Sequence, residues 1–286
     1  MRIVTTVAET RAAARQLKAS GKKLGLVPTM GALHEGHLSL VRLAKQQCDA
    51  VAVSIFVNPT QFGVNEDFSK YPRTFERDRQ MLEAEKIDLL FAPAAEEMYP
   101  AGAATFVTVE GMSERLDGRS RPGHFRGVTT VVCKLFSIVE PDTAFFGQKD
   151  AAQVAIIKRM VRDMNMAVEI AVGPIVREAD GLAMSSRNAY LDARQRRQAT
   201  VLSRALKKVG ALVAQGQTNS AMLIEGARQV FSEEPEVRVD YIEIVNPETL
   251  EPVKDVGHVG RGSLLAVAAY VGSTRLIDNR ILSADR

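Results

Sequence analysis

The sequence predicts an α/β protein, a doubly wound parallel sheet covered by helices, followed by a smaller C-terminal α+β domain. Three observations predict it. Short β-rich apolar runs alternate with helical patterns through the first two thirds of the chain. Runs such as LGLV (Leu24–Val27) and VAVSIFV (Val51–Val57) are apolar at successive positions, so both faces of each strand are expected to be covered. After Val176 the texture turns polar in READGLAMSSRNAYL (Arg177–Leu191), and strand-like runs close the chain.

Taken in order, strand Leu24–Val27 leads to a helix beginning near Gly36 (GHLSLVRLAKQQC). Strand Val51–Val57 precedes a helix from about Thr74 to Lys86, with Thr74 as N-cap. Asp88–Ala92 and Thr105–Val109 read as strands. A helix over Phe125–Val139, a strand at Thr143–Phe146, a helix over Asp150–Asn165 and a strand at Val168–Val172 complete the first domain, residues 1–176. The second, residues 177–286, is expected to hold a long helix from Asp192 to Ala214 and another over Ser220–Phe231. Its antiparallel sheet is formed by VRVDYIEIV, SLLAVAAYV and TRLIDNRIL, with a turn at Asn246-Pro247. Parallel sheets bind ligands beyond their carboxyl ends. PTMG, VNPTQFG and GQKD each follow an apolar strand, which would set three motifs on one rim.

Composition narrows the function classes. The 286 residues are 46% hydrophobic and 25% charged, with a net charge of +3. That excess is too mild for nucleic acid, has no long basic tract and suits small anionic substrates. Cys48 and Cys133 lie in apolar stretches and read as free thiols in a reducing compartment. The first residues carry an early acid and no apolar signal region, and no run approaches the length of a membrane span. A cytoplasmic protein with no membrane or nucleic-acid partner is expected.

The stretch Pro28–His37, PTMGALHEGH, places half of the chain's four histidines three residues apart at a helix mouth. HEGH lacks the zincin spacing and has no neighbouring cysteine or histidine to complete a tetrahedral site. A phosphate site accounts for more: unpaired N–H groups at a helix start attract anions, Gly31 and Gly36 admit close approach, and two imidazoles can donate to phosphate oxygens. Histidines that merely cap a turn are the bland alternative.

His34-Glu35-Gly36-His37 resembles the HxGH signature of the nucleotidylyltransferase and adenylate-forming superfamily. With VNPTQFG (Val57–Gly63), YPRT (Tyr71–Thr74), RPGHFRGV (Arg121–Val128), FFGQKD (Phe145–Asp150) and AMSSRN (Ala183–Asn188) in order, nearly the whole chain resembles the pantothenate synthetase (pantoate–β-alanine ligase) family. The resemblance implies a Rossmann-like catalytic domain, a C-terminal lid domain and a homodimer. It also implies an ATP-dependent ligase that joins (R)-pantoate to β-alanine through pantoyl adenylate, releasing pyrophosphate and AMP.

Each residue also has a reading of its own. Lys149 at a helix start could neutralise a phosphate or simply be solvated, and Asp150 could bind ribose hydroxyls or favour the helix dipole. Gln153 shares a helix face with Lys149. Gln61 could contact a hydroxy acid or stand in a surface loop, and Asn58 could shape the same pocket. Arg121 and His124 frame a Pro-Gly turn and could bind an anion or end a loop. Ser185, Ser186 and Arg187 suit β- and γ-phosphates, or a capped turn beside a solvated arginine.

What the resemblance implies is narrower. ATP contacts fall on Met30, Gly31, Ala32, Leu33, His34, Glu35, Gly36 and His37, on Gly147, Gln148, Lys149 and Asp150, and on Val176, Met184, Ser185, Ser186 and Arg187. Pantoate contacts fall on Gln61 and Gln153, with Asn58 shaping the same pocket and Arg121 and His124 at the edge of the site. His34, His37 and Lys149, with Arg187, would stabilise charge as pyrophosphate leaves. Asp78 is the acidic candidate near Mg²⁺, while Arg77 stands where some relatives carry another acid, and ATP phosphates and water are expected to hold most of the ion. No G-x-S-x-G elbow is present, and an adenylate needs no nucleophilic serine. The alternatives are a nucleotidyltransferase acting on a phosphorylated small molecule, and a non-catalytic nucleotide sensor.

Overall fold

The computed structural model describes residues 1–19, 21–63, 66–257 and 262–283. Its elements begin β1 (Arg2–Val4), α1 (Val7–Lys18), β2 (Leu24–Thr29), α2 (Glu35–Gln47), β3 (Ala50–Ile55), α3 (Phe75–Ala84) and β4 (Leu89–Phe91). Then come α4 (Ala95–Met98), α5 (Asp117–Ser120), α6 (His124–Val139), β5 (Thr143–Gly147), α7 (Ala151–Asp163) and β6 (Glu169–Gly173). The chain continues as α8 (Ala193–Ala199), α9 (Val201–Ala214), α10 (Ser220–Phe231), β7 (Val237–Val245), β8 (Ser263–Val271) and β9 (Thr274–Leu282). It divides into two compact units: residues 1–113, 121–147 and 156–174, and residues 114–120, 148–155 and 175–286.

The first unit is a parallel sheet in the order β1-β4-β3-β2-β5-β6. From β2 the chain winds outward through β3 and β4, then returns to β5 on the other side. The crevice between the carboxyl ends of β2 and β5 is therefore the topological switch point, where such sheets bind ligands. Thr29 and Gly147 end those two strands, so PTMG and the FFG that opens FFGQKD flank it. Burial explains the apolar runs: Val27, Val51, Val53, Leu90 and Phe145 pack with Leu33, Val41 and Leu82 in one core.

Several boundaries differ from the sequence expectation. Strand β2 runs on through Pro28 and Thr29, which pair with Ser54 and Ile55. β1 and α1 were not anticipated, although Thr6 and Glu9 form a reciprocal capping box that the sequence carries. Thr105–Val109 forms no strand. The Val107 N–H donates to the Thr130 hydroxyl (3.0 Å), its carbonyl accepts from the Thr129 hydroxyl (2.6 Å), and Phe106 lies under the Arg126 guanidinium. β-rich composition alone cannot make a strand without a partner strand.

The second unit is an antiparallel meander, β7-β8-β9, covered by α9 and α10. Leu202, Leu206, Val209, Leu223 and Phe231 meet Ile242, Ile244, Leu265, Val267 and Leu276 in its core. The single long helix expected from Asp192 is broken at Thr200, which belongs to neither α8 nor α9. Asp192 caps α8 by accepting from the Arg194 and Gln195 N–H groups. Among the described residues, no helix is long and apolar enough to cross a membrane.

Candidate active site

In the first unit the histidine motif is built by its own backbone. The Gly36 N–H donates to His34 Nδ1 (3.2 Å), and the His34 N–H donates to His37 Nδ1 (3.3 Å), a capping box made from two imidazoles. The rings stand 4.1 Å apart between centroids. With Nδ1 accepting in both, each neutral ring carries its proton on Nε2, the atom that can donate to an anion.

The loop before them is pinned as well. The Gly31 N–H donates to the Thr29 hydroxyl (3.2 Å), and the Ala32 and Leu33 N–H groups donate to the two oxygens of Asp78 (2.8 and 2.9 Å). The His37 and Leu38 N–H groups donate to the His34 carbonyl. This corrects the expectation of unpaired N–H groups: most donors at this helix mouth are satisfied within the protein. Any anion held here would be met by the imidazoles and the helix dipole rather than by open N–H groups. Glu35 is engaged by Arg42, which keeps its carboxylate paired in the first turn of α2.

Gln61 lies on a 3-10 turn after β3 and is 9% exposed. Its amide is held at both ends: Asn58 Nδ2 donates to its Oε1 (3.1 Å), and its Nε2 donates to Met30 Sδ (2.7 Å). Asn58 is itself 1% exposed, donating to the Gly127 carbonyl and accepting from the Thr60 and Tyr99 hydroxyls. Arg121 and His124 meet the same turn. Glu66 takes Arg121 through both carboxylate oxygens (2.7 and 2.5 Å), Arg121 donates to His124 Nε2 (3.0 Å), and His124 Nδ1 donates to the Gln61 carbonyl (2.8 Å). Burial pushes the Glu66 carboxyl up, but the Arg121 guanidinium overrides it and leaves the carboxyl below its ordinary value.

The second unit carries the other motifs. Gln148, Lys149 and Asp150 form a 3-10 turn, and Lys149 Nζ lies 3.4 Å from Asp150 Oδ1. Gln153 follows, half-buried, on the first turn of α7. The turn is held by Asn279 of β9, which the sequence reading missed. Asn279 is 4% exposed, donates to the carbonyls of Gln148 and Lys149 (3.0 and 2.9 Å) and accepts from Gln148 Nε2 (3.0 Å).

Its neighbour Asp278 takes Arg177 in a bidentate pair (2.6 and 3.0 Å), and Arg177 also donates to the Gly181 carbonyl. That pair anchors the loop in which the Met184 N–H donates to the Val176 carbonyl (2.9 Å). Ser185 then caps the short turn Ser186–Tyr190 by accepting from the Arg187 N–H. Asn188 ties the turn back to Glu178 and to the Ala183 carbonyl. No sequence signal marks Asn279 or Asp278, which are two of five polar residues in the strand TRLIDNRIL.

Among the described residues, no cluster of three or more histidine, cysteine or acidic side chains is placed to hold a metal. Asp78 has both oxygens engaged by N–H donors and accepts the Thr74 hydroxyl as well (3.1 Å). At 1% exposure and with both oxygens taken, Asp78 does not fit a Mg²⁺ ligand.

Comparison with known proteins agrees with the motifs. The family model described as pantoate-beta-alanine ligase matches residues 2–281. Pantothenate synthetase of Koribacter versatilis is 61% identical over 99% of this chain and 97% of its own, and that of Acidobacterium capsulatum is 60% identical with the same coverage. A crystal structure of pantothenate synthetase from Thermus thermophilus superposes with a TM-score of 0.93 at 47% identity, covering 99% of this chain and 100% of that one. Pantoate-beta-alanine ligase from Francisella tularensis, complexed with beta-gamma ATP and beta-alanine, matches at 34% identity and a TM-score of 0.80 over 98% and 97% of the two chains. Six ordered motifs, a switch-point sheet and near-complete coverage of its relatives lead to one conclusion: the chain belongs to the pantoate–β-alanine ligase family.

Proposed function

We propose that this ligase works through an acyl adenylate. A pantoate carboxylate oxygen attacks the α-phosphorus of ATP, the bond to the β-phosphate breaks, and pyrophosphate leaves. The amine of β-alanine then attacks the acyl carbon, the bond to AMP breaks, and the amine proton passes to solvent. Pantothenate and AMP remain. The observation that carries this reading is the pair of imidazoles whose Nδ1 atoms accept backbone N–H groups, because that pattern makes Nε2 a donor in both.

Donors aimed at charge that develops on phosphate oxygens lower the barrier most. His34 and His37 supply two, and Lys149 and Arg187 add positive charge. Met30, Gly31, Ala32, the backbone of Leu33, Glu35 and Gly36 contact ATP beside the imidazoles, while Gly147, Gln148, Asp150, Val176, Met184, Ser185 and Ser186 complete the ATP contacts. Gln61 and Gln153 bind pantoate, Asn58 orients Gln61, and Arg121 with His124 fixes the Gln61 carbonyl. Mg²⁺ enters as the Mg²⁺–ATP substrate, its charge neutralising the phosphates, and no step requires a protein ligand to it. The ATP and β-alanine complex of the Francisella relative supports the substrate class.

Residues 177–286 serve as the lid, and the enzyme acts as a cytoplasmic homodimer, for which sedimentation should give twice 31.2 kDa. Pyrophosphate–ATP exchange without β-alanine tests the reading. Exchange that requires pantoate is expected. No exchange, together with no pantothenate when β-alanine is added, overturns it.

A further inference from the structure

Two successive residues before the histidines adopt left-handed backbone, Gly31 at φ +79° and Ala32 at φ +50°. A backbone of this kind turns consecutive N–H groups toward one point and forms an anion-binding concavity. Here the concavity is already filled. Asp78 Oδ2 takes the Ala32 N–H and Oδ1 takes the Leu33 N–H, one oxygen to each donor, across 46 and 45 residues of chain. The carboxylate is 1% exposed and steadied by the Thr74 hydroxyl one helical turn earlier. Gly31 shows how closely it fits, since a Cβ there would lie 3.0 Å from Asp78 Oδ2. On the other side of the loop the Leu33 side chain is sealed in the core at 1% exposure. The segment entering His34 is thus clamped between an apolar anchor and an internal anion.

We propose that Asp78 is a positioning residue for the ligation: its buried carboxylate takes the place of an external anion in the Ala32–Leu33 concavity and sets where the two imidazoles stand. It does so in place of binding a metal, because the carboxylate is buried and its oxygens already accept two N–H groups and the Thr74 hydroxyl. The proposal rests on the adenylate reading for its effect on rate, but not for its effect on geometry.

Asp78→Asn is nearly isosteric and turns one acceptor oxygen into an NH₂ that must face a backbone N–H. In folded D78N enzyme, kcat should fall about a hundredfold, as for a small misplacement of reacting groups. KM for ATP and pantoate and the Mg²⁺ concentration giving half-maximal rate should stay at wild-type values. The ¹⁵N shifts of the His34 and His37 rings should lose the pattern of an accepting Nδ1 with a protonated Nε2. Wild-type kcat, or activity restored by added Mg²⁺, would overturn the proposal, the second by making Asp78 a metal ligand. If D78N does not fold, Thr74→Val removes one donor and leaves the charge. A several-fold loss of kcat with shifted ring signals is expected, and wild-type kcat with wild-type ring signals overturns the proposal. Should the wild-type protein form no pantothenate, the functional reading fails, and the ring signals of the variant still decide the role of Asp78.

Discussion

Gly127 lies so close to Gln61 that a Cβ added to it would stand 2.6 Å from Gln61 Cα and 2.3 Å from the Thr60 carbonyl oxygen. Helix α6 therefore rests directly on the turn that carries the proposed pantoate-binding amide, and only glycine permits the approach. Gly127→Ala must push that turn away. The expected result is a raised KM for pantoate with KM for ATP little changed, measured by steady-state kinetics on folded protein.

The Glu66–Arg121 pair sets an acid limit. A carboxyl held below its ordinary value in the folded state contributes stability above its unfolded pKa, and that stability is lost as pH falls through the folded value. Thermal unfolding followed downward from neutral pH should show the loss in the wild type. Glu66→Gln should be less stable near neutrality and should flatten that limb. It should also raise KM for pantoate, since Arg121 and His124 together hold the Gln61 carbonyl.

Asn279 has the equivalent role beneath Lys149. Asn279→Leu removes the buried amide that donates to the Gln148 and Lys149 carbonyls. Leaving these part-buried carbonyls unsatisfied costs less than the about 1–3 kcal/mol of a fully buried group. Lower thermal stability is expected, with a larger fall in kcat/KM for ATP than for pantoate.

His37→Ala removes one donor and also the Nδ1 that accepts from the His34 N–H. A loss of about two to three orders of magnitude in kcat is expected, with circular dichroism unchanged. Near-normal turnover would remove the imidazole from the mechanism.

The sequence revealed what depends on neighbours along the chain. Helix α10 begins and ends at the expected Ser220 and Phe231, and β7, β8 and β9 match their runs, because an apolar pattern over nine or twelve residues follows one buried face. The paired histidines and the Ser185–Arg187 turn were visible for the same reason, as each is a local cap. Missing were the relationships that join distant segments. Asp78 reaches Ala32, Glu66 reaches Arg121, and Asn279 reaches Gln148, across 46, 55 and 131 residues. Nothing in a stretch of sequence marks which polar residue will be buried against another. The TFVTV run misled because its β-branched and aromatic residues favour a strand, while its hydrogen-bond partners were threonine hydroxyls on a helix.

The acyl adenylate is tested most directly by isotope transfer. Pantoate labelled with ¹⁸O in its carboxylate is turned over with ATP, Mg²⁺ and β-alanine, and the AMP is analysed by mass spectrometry. Attack of the carboxylate on the α-phosphorus predicts one ¹⁸O in the AMP phosphate for each pantothenate formed. Unlabelled AMP alongside normal pantothenate formation would contradict the adenylate and require another activated acyl species.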